Sequence, residues 1–166
     1  MKLKFLDMQE EKNPLNGALI DSDDELVRIM DKLRDREPFG LQLKGENGFT
    51  LDICLSRECG SIQHSASSGD TPYLLAVTPG SPPISSAGEI SHYASAFMAD
   101  EVNGVEPLEF LVGGTPTPIP TRYCLPYELV RDIAVYFLKN GERDSRVYGN
   151  RFRVVKTFLG TTNVSY

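Results

Sequence analysis

The sequence predicts an α+β fold, in which two amphipathic helices pack on a largely antiparallel sheet. Two segments place apolar residues at the spacing of one helix face, and several shorter segments alternate apolar and polar residues, as strands with one buried face do. The chain has 166 residues, of which 40% are hydrophobic, and it has no long block of a single charge. These properties indicate one ordered domain, spanning residues 1–166, rather than a disordered chain.

The first predicted helix begins at a capping signal. Ser22 and Glu25 have the S-x-x-E spacing of a capping box, in which the two side chains satisfy backbone N–H groups of the first turn. Pro38 cannot continue a helix, so the helix is expected to run roughly from Asp23 to Arg36. Its predicted buried stripe consists of Leu26, Ile29, Met30 and Leu33.

A meander of antiparallel strands is predicted after this helix. Its first two strands form a hairpin with one buried face, because the Gly45-Glu46-Asn47-Gly48 turn separates two alternating segments. Residues 78–88, rich in proline and serine, are expected to form an irregular loop. The predicted strands lie at 41–43, 49–55, 61–66, 72–77, 90–98 and, near the end of the chain, 151–158.

A hairpin followed by a helix is predicted next. Gly113-Gly114 is a hairpin turn signal after an alternating strand at 108–112, and residues 115–122 alternate threonine with proline. Because proline has no backbone N–H to give to a neighbouring strand, this segment is expected to be an edge strand. Pro126 suits the first turn of the second helix, and Asn140-Gly141 suits its left-handed end. The predicted buried side of this helix consists of Leu129, Ile133, Tyr136 and Phe137.

The composition narrows the class of partner. The 23 acidic and 17 basic residues give a formal net charge of −6, which argues against direct binding to nucleic acid and slightly favours a basic partner, while solubility alone also accounts for it. No apolar run approaches the ~18 residues of a membrane span, and the first residues lack the features of a signal peptide, so we expect a soluble cytoplasmic protein with no membrane partner. In such a reducing compartment Cys54, Cys59 and Cys124 are expected to be free thiols.

The motifs of metal and catalytic sites are incomplete in this sequence. Cys54, Cys59, His64 and the distant His92 are the best metal-ligand set, but spacings of four residues across strands and turns scatter the ligands, so we expect small side chains and a strand histidine there. The chain has no G-x-S-x-G elbow for a nucleophile, and Gly113-Gly114 lacks the glycine spacing and the lysine of a phosphate loop. We therefore predict no metal, no cofactor and no enzymatic activity.

Acidic residues gather near the predicted loop that precedes the strand at 108–112. They are Asp100, Glu101, Glu106 and Glu109. Such a group is either a solvated surface or a patch that docks a basic protein, with the rigid proline-rich loops limiting the entropy lost on binding. The sequence leaves both interpretations open.

The C-terminal third resembles a known family in the order and spacing of its elements. A strand ending in glycines at FLVGG is followed by a Thr/Pro strand at TPTPIPTRY and by the helix PYELVRDIAVYFLKNG. From Phe110 through Gly149 this order is similar to that of the Imm1 family of bacterial immunity proteins, which are encoded beside polymorphic toxins and neutralise them. Members of this type commonly carry Gly-x-Arg-Pro and then a tryptophan after the helix. Gly141-Glu142-Arg143 matches the first part, whereas Asp144 stands in place of the proline and Tyr148 in place of the tryptophan.

The resemblance implies an immunity protein that binds a cognate toxin one to one, without a cofactor. It also implies toxins that often act on nucleic acid, deaminases among them, and such toxins present basic surfaces. For the family motif we expect Gly141 to give the chain a left-handed exit from the helix, Arg143 to bond the carbonyls at the helix end, and Tyr148 to pack on the sheet.

Two other functions remain open at this point. A small enzyme with an unrecognised site would show turnover, and a peptide-binding adaptor would use the proline-rich edge strand, although the missing N–H donors argue against strand addition there. The sequence does not reveal which toxin is bound, which face binds it, or the oligomeric state.

Overall fold

The structure is a computed structural model of the chain. It describes residues 1–9, 12–36, 38–66, 74–75, 106–119, 121–142 and 144. These residues form nine strands, two α-helices and one 3-10 turn. The strands are β1 (Leu3–Asp7), β2 (Leu19–Ile20), β3 (Phe39–Gly45), β4 (Phe49–Leu55), β5 (Cys59–Ala66), β6 (Leu74–Leu75), β7 (Leu108–Val112), β8 (Thr115–Ile119) and β9 (Leu125–Pro126). The helices are α1 (Asp23–Leu33) and α2 (Tyr127–Asn140), and the 3-10 turn is Thr121–Tyr123. The predicted α+β class is confirmed.

Within these described ranges the sheet runs in the order β2-β1-β3-β4-β5-β6, and each neighbouring pair in this order is antiparallel. The predicted hairpin forms its centre, since β3 and β4 pair directly and their turn closes at Gly48, whose φ is +84°. The sequence pattern does not predict β1 and β2, because the exposed Leu6 interrupts the alternation of β1 and because β2 has only two residues.

The strand registers define two faces of the sheet, because directly paired residues point to the same side. The side that carries α1 and α2 is called the helix face, and the opposite side is called the open face. His64 marks the helix face, since its ring lies 5.8 Å from the ring of Phe137 in α2. The main core fills the helix face and includes Leu3, Phe5, Leu41, Leu43, Leu51, Ile53 and Ile62 of the strands and Leu26, Met30, Ile133 and Phe137 of the helices.

Helix α1 begins where the sequence predicts and ends three residues early. The Ser22 hydroxyl accepts a hydrogen bond from the backbone N–H of Glu25 at 3.3 Å, and all four residues of the predicted stripe are buried. The predicted end at Arg36 is wrong. The helix stops at Leu33, and Arg36 lies beyond its end, where its guanidinium donates to the buried Asp7 carboxylate at 2.6 Å.

Helix α2 ends as predicted, at a left-handed Gly141 whose φ is +69°. The predicted buried stripe is partly wrong, since Leu129 and Tyr136 are only half-buried. The buried stripe is rotated toward Tyr127, whose hydroxyl donates to Asp31 of α1 at 2.6 Å. The buried residues of α2 are Tyr127, Val130, Ile133, Ala134, Phe137 and Leu138.

Pro126 precedes α2 instead of occupying its first turn, so this prediction is wrong by one residue. Pro126 belongs to the short strand β9, where it pairs with Cys59 of β5. The next residue continues this contact, because the backbone N–H of Tyr127 donates to the carbonyl of Glu58 at 2.9 Å. The chain therefore enters α2 from a strand that is already fixed to the sheet.

The predicted hairpin of β7 and β8 lies at the edge of the described sheet. Its turn has φ of +58° at Gly113 and +76° at Gly114, and β7 meets β3 through a parallel pair, Phe39 with Leu111. β8 pairs with β7 and with no other described strand, so its prediction as an edge strand is confirmed for this part of the chain. The hairpin and the 3-10 turn cover part of the open face with a second core, which consists of Phe110, Ile119 and Tyr123.

Some predicted elements lie outside the described residues: the loop at 78–88 and the strands at 90–98 and 151–158. Of the strand expected at 72–77, residues Leu74–Leu75 are described and pair with β5. Among the described helices, neither is long and apolar enough to cross a membrane.

Candidate functional site

Two of the four acidic residues singled out from the sequence lie in the described part of the chain. Glu106 and Glu109 are exposed, and Glu109 lies in β7 directly opposite Pro118 of β8. Asp100 and Glu101 lie outside the described residues. Glu109 therefore stands beside the proline-rich edge strand, and Glu106 lies two residues before β7.

At its two prolines, the edge of β8 that faces away from β7 has backbone carbonyls, which accept hydrogen bonds, but no backbone N–H groups to donate them. The two-residue turn makes Val112 and Thr115 the hydrogen-bonded closing pair of the hairpin, and bonding alternates from there along the ladder. Pro116 and Pro118 therefore direct their carbonyls away from β7, where neither has an N–H. We call this surface the acceptor edge: Glu106, Glu109 and the carbonyls of Pro116 and Pro118.

The exit from α2 is held by residues far away in the sequence. The side-chain amide of Asn47 donates to the Gly141 carbonyl at 2.6 Å, and the Met1 ammonium group donates to the Leu138 carbonyl at 3.1 Å. A positive charge near a helix C-terminus is favourable, because it meets the unpaired carbonyls there. Arg143 and Tyr148 lie outside the described residues, and their expected roles stay predictions.

The candidate metal ligands do not share one face of the sheet. His64 lies on the helix face, stacked on Phe49 at 5.2 Å between ring centroids, whereas Cys54 pairs with Ser61 on the open face. His92 lies outside the described residues. Within the described ranges, no group of three or more His, Cys, Asp or Glu side chains is arranged to hold a metal ion.

The three cysteines instead gather at the open face, a feature that the sequence analysis missed. Cys54 and Cys124 pack against the second core, and Cys59 and Cys124 are in side-chain hydrogen-bond contact. The Sγ of Cys59 also lies 3.4 Å from the Oγ of Ser56. We call Cys54, Cys59 and Cys124 the thiol cluster; all three are half-buried and are thiols rather than disulfides.

The pKa values of two of these thiols are shifted in opposite directions. The hydrogen bond from Cys124 lowers the pKa of Cys59 to about 6, the bond with Ser56 acts in the same direction, and partial burial and the charge of Glu58 oppose both. Burial raises the pKa of Cys54 to about 11. Near neutral pH these pKa values favour the thiolate form of Cys59 and the protonated form of Cys54.

A carboxylate lies on the same face as the thiol cluster. Asp52 accepts a hydrogen bond from the side-chain amide of Gln42 at 2.7 Å, and burial raises the pKa of Asp52 more than this bond lowers it. Strand alternation could have placed Asp52 and Cys54 on one face. No local signal places Cys124 beside Cys59, because β5 and β9 are far apart in the sequence.

Comparisons of this chain with protein-family models, with curated proteins and with solved structures found no match.

Proposed function

We propose that the protein is an immunity protein, which binds a cognate toxin domain one to one and blocks its active site or substrate channel. The observation that carries the proposal is the order of elements on which the resemblance to the Imm1 family rests. Strand β7, the Gly113-Gly114 turn, the proline-rich edge strand β8 and a helix that ends at the left-handed Gly141 follow one another in that order.

The acceptor edge supplies a surface suited to a basic partner. Arg and Lys side chains bring donors and positive charge, which the outward carbonyls of Pro116 and Pro118 and the carboxylates of Glu106 and Glu109 accept. Because no N–H competes at the two prolines, a partner that offers donors is favoured over one that offers acceptors.

The distribution of charge along the chain supports the same class of partner. Residues 1–142 contain 22 acidic and 12 basic residues, a formal net charge of −10, whereas residues 143–166 contain one acidic and five basic residues. A toxin that acts on nucleic acid needs a basic surface for phosphate groups. The acidic part of this chain and the basic surface of such a toxin attract each other, and this attraction raises the association rate more than it adds affinity. In this proposal the complex forms in the cytoplasm, where such a toxin finds its substrate.

The adaptor function is less well supported by the same edge. Strand addition needs alternating donors and acceptors along the free side of a strand. At Pro116 and Pro118 the donors are missing, so an added strand would lose two hydrogen bonds within one five-residue strand.

Co-expression with the toxin domain encoded next to this chain tests the proposal. Rescue of growth together with a purified one-to-one complex is the expected result. Inhibition must also be stoichiometric, with toxin activity reaching zero at an equimolar amount. Absence of both rescue and complex contradicts the proposal, and loss of toxin activity at a small fraction of an equivalent favours an enzyme.

Charge reversal tests the surface separately from the function. The double variant Glu106→Lys/Glu109→Lys is expected to lower the association rate at least about tenfold at low salt, and the difference should shrink as salt is added. The matched control is Asp24→Lys/Asp132→Lys, which makes the same change in net charge at two exposed positions on the helices. Equal rates for the two double variants would mean that binding does not use the acceptor edge.

A further inference from the structure

Cys59 and Cys124 form a close pair that β5 and β9 create. Cys59 is the first residue of β5, where it pairs with Pro126, and Gly60 pairs with Leu125. Cys124 immediately precedes β9 and follows the 3-10 turn, whose Thr121 carbonyl accepts its N–H at 2.9 Å. The pairing of β5 with β9, next to Cys124, therefore brings the two side chains into hydrogen-bond contact.

The surroundings make Cys59 the nucleophile of this pair. Its sulfur is in hydrogen-bond contact with the Cys124 side chain, whose S–H can donate to a thiolate. It also lies 3.4 Å from the Oγ of Ser56, whose hydroxyl donates to the Cys59 carbonyl at 2.8 Å. The group is half-buried and so remains accessible to a small oxidant. A thiolate reacts with peroxides and disulfides, whereas a thiol does not, and a second cysteine in contact can resolve the first oxidation product.

We propose that Cys59 and Cys124 are a redox-active dithiol, in which Cys59 reacts with a hydroperoxide and Cys124 resolves the product into a reversible intramolecular disulfide. Cys54 has no part in the reaction, although it belongs to the same thiol cluster. The proposal does not rest on the immunity function.

The reaction balances with one hydroperoxide as the oxidant. The Cys59 thiolate attacks the peroxide, so a sulfur–oxygen bond forms, the oxygen–oxygen bond breaks, and the alkoxide or hydroxide that leaves takes up a proton. The Cys124 sulfur then attacks the sulfenic acid, so the disulfide forms and the sulfur–oxygen bond breaks. The hydroxide released in this step takes the Cys124 proton and leaves as water. Two thiols are oxidised, and the hydroperoxide is reduced to an alcohol, or to water when it is hydrogen peroxide.

The disulfide would join the start of β5 to the segment that enters α2. The sulfur atoms have to move from hydrogen-bond contact to a bond length of about 2.05 Å. Pairing of Cys59 with Pro126 already holds the two backbones together, and Gly60 next to it pairs with Leu125. The bond therefore fastens strands that are already neighbours in the reduced protein.

Hydrogen peroxide titration of the full chain tests the proposal, with intact-mass and peptide mapping under non-reducing conditions. The wild type and Cys54→Ser are each expected to lose the mass of two hydrogen atoms and to yield two peptides joined by a disulfide between Cys59 and Cys124. Treatment with dithiothreitol should restore the mass of the reduced protein. Cys124→Ser is expected to form a sulfenic acid at Cys59 that dimedone traps. Cys59→Ser is expected to react at least about tenfold more slowly, because this variant lacks the thiol whose pKa is lowered.

Three results would overturn the proposal. They are a disulfide that includes Cys54, a disulfide that forms only between two chains, and equal peroxide reactivity of Cys59→Ser and the wild type. The circular dichroism spectrum of each serine variant, compared with that of the wild type, shows whether the variant is folded. If a variant is misfolded, dimedone trapping in the wild type identifies whether Cys59 or another thiol is oxidised first.

Discussion

Replacing Gly60 by alanine is expected to destabilise the protein by about 3 kcal/mol, the upper end of the usual cost of overpacking. A Cβ at this position would lie 2.4 Å from the backbone oxygen of Cys54 and 3.4 Å from a methyl group of Val130. Ordinary carbon–oxygen contacts are about 3.3 Å or longer, so the new atom intrudes by about 0.9 Å. The obstacle is backbone of a paired strand, which cannot rotate away as a side chain can, so β4 and β5 must separate locally at this end of their pair.

Urea unfolding followed by circular dichroism measures this effect, with the m value as a check on two-state behaviour. Gly114→Ala is the matched control, because a Cβ there meets no atom within 4 Å while φ is +76°. Its cost is expected to be about 1–2 kcal/mol, from backbone conformation alone. If Gly60→Ala lost less free energy of unfolding than Gly114→Ala, the close approach of β4, β5 and α2 at Gly60 would be refuted.

Three further changes test other contacts. Iodoacetamide should alkylate Cys59 roughly 50-fold faster than Cys54 at pH 7, since its larger thiolate fraction outweighs its lower nucleophilicity; the rate at Cys59 should rise with a midpoint near pH 6. Because folding lowers the pKa of Cys59, its thiolate stabilises the folded protein at pH values above the pKa that this thiol has in the unfolded chain. This stabilisation is lost as the pH falls through about 6, which unfolding at several pH values measures. Tyr127→Phe should lower the free energy of unfolding by about 1–2 kcal/mol through the lost bond to Asp31. Burial raises the pKa of Tyr127, so the contribution of its protonated hydroxyl to the free energy of unfolding is lost as pH rises above about 10. Tyr127→Phe should remove this loss of stability at alkaline pH. Asn47→Ala should cost about 1–2 kcal/mol in thermal unfolding, because it removes the bond to the end of α2.

The elements that the sequence predicts well are those with local signals. Ser22 caps α1, Gly113 and Gly114 take positive φ in their turn, and Gly141 ends α2, because each residue type suits a backbone geometry set by its immediate neighbours. The α+β class follows from the same source, since helical and alternating periods are properties of short segments.

The errors arise where a distant contact overrides a local signal. The sequence predicts Arg36 within α1, whereas it lies outside the helix and binds Asp7, which is far away in the sequence. It also predicts Pro126 in the first turn of α2, whereas Pro126 pairs with Cys59 as part of β9. The same cause hides the candidate redox pair, since only the pairing of β5 with β9 brings Cys124 to Cys59. Periodicity has no information about such pairings, because it reports burial and not the identity of the neighbour.

Helix α2 lies next to Cys124 of the proposed redox pair in the chain and is fixed to the sheet at both ends. At its start the N–H of Tyr127 is bonded to Glu58, next to Cys59, and at its end the carbonyls of Leu138 and Gly141 are bonded by Met1 and Asn47. A helix held at both ends by distant parts of the chain cannot shift without breaking contacts with the sheet. The hairpin of β7 and β8 is held to the sheet by the pair of Phe39 with Leu111 and by the second core, and the redox pair is held by the pairing of β5 with β9. A partner would therefore meet a preformed surface and lose little conformational entropy on binding, which is the property that tight one-to-one inhibition requires.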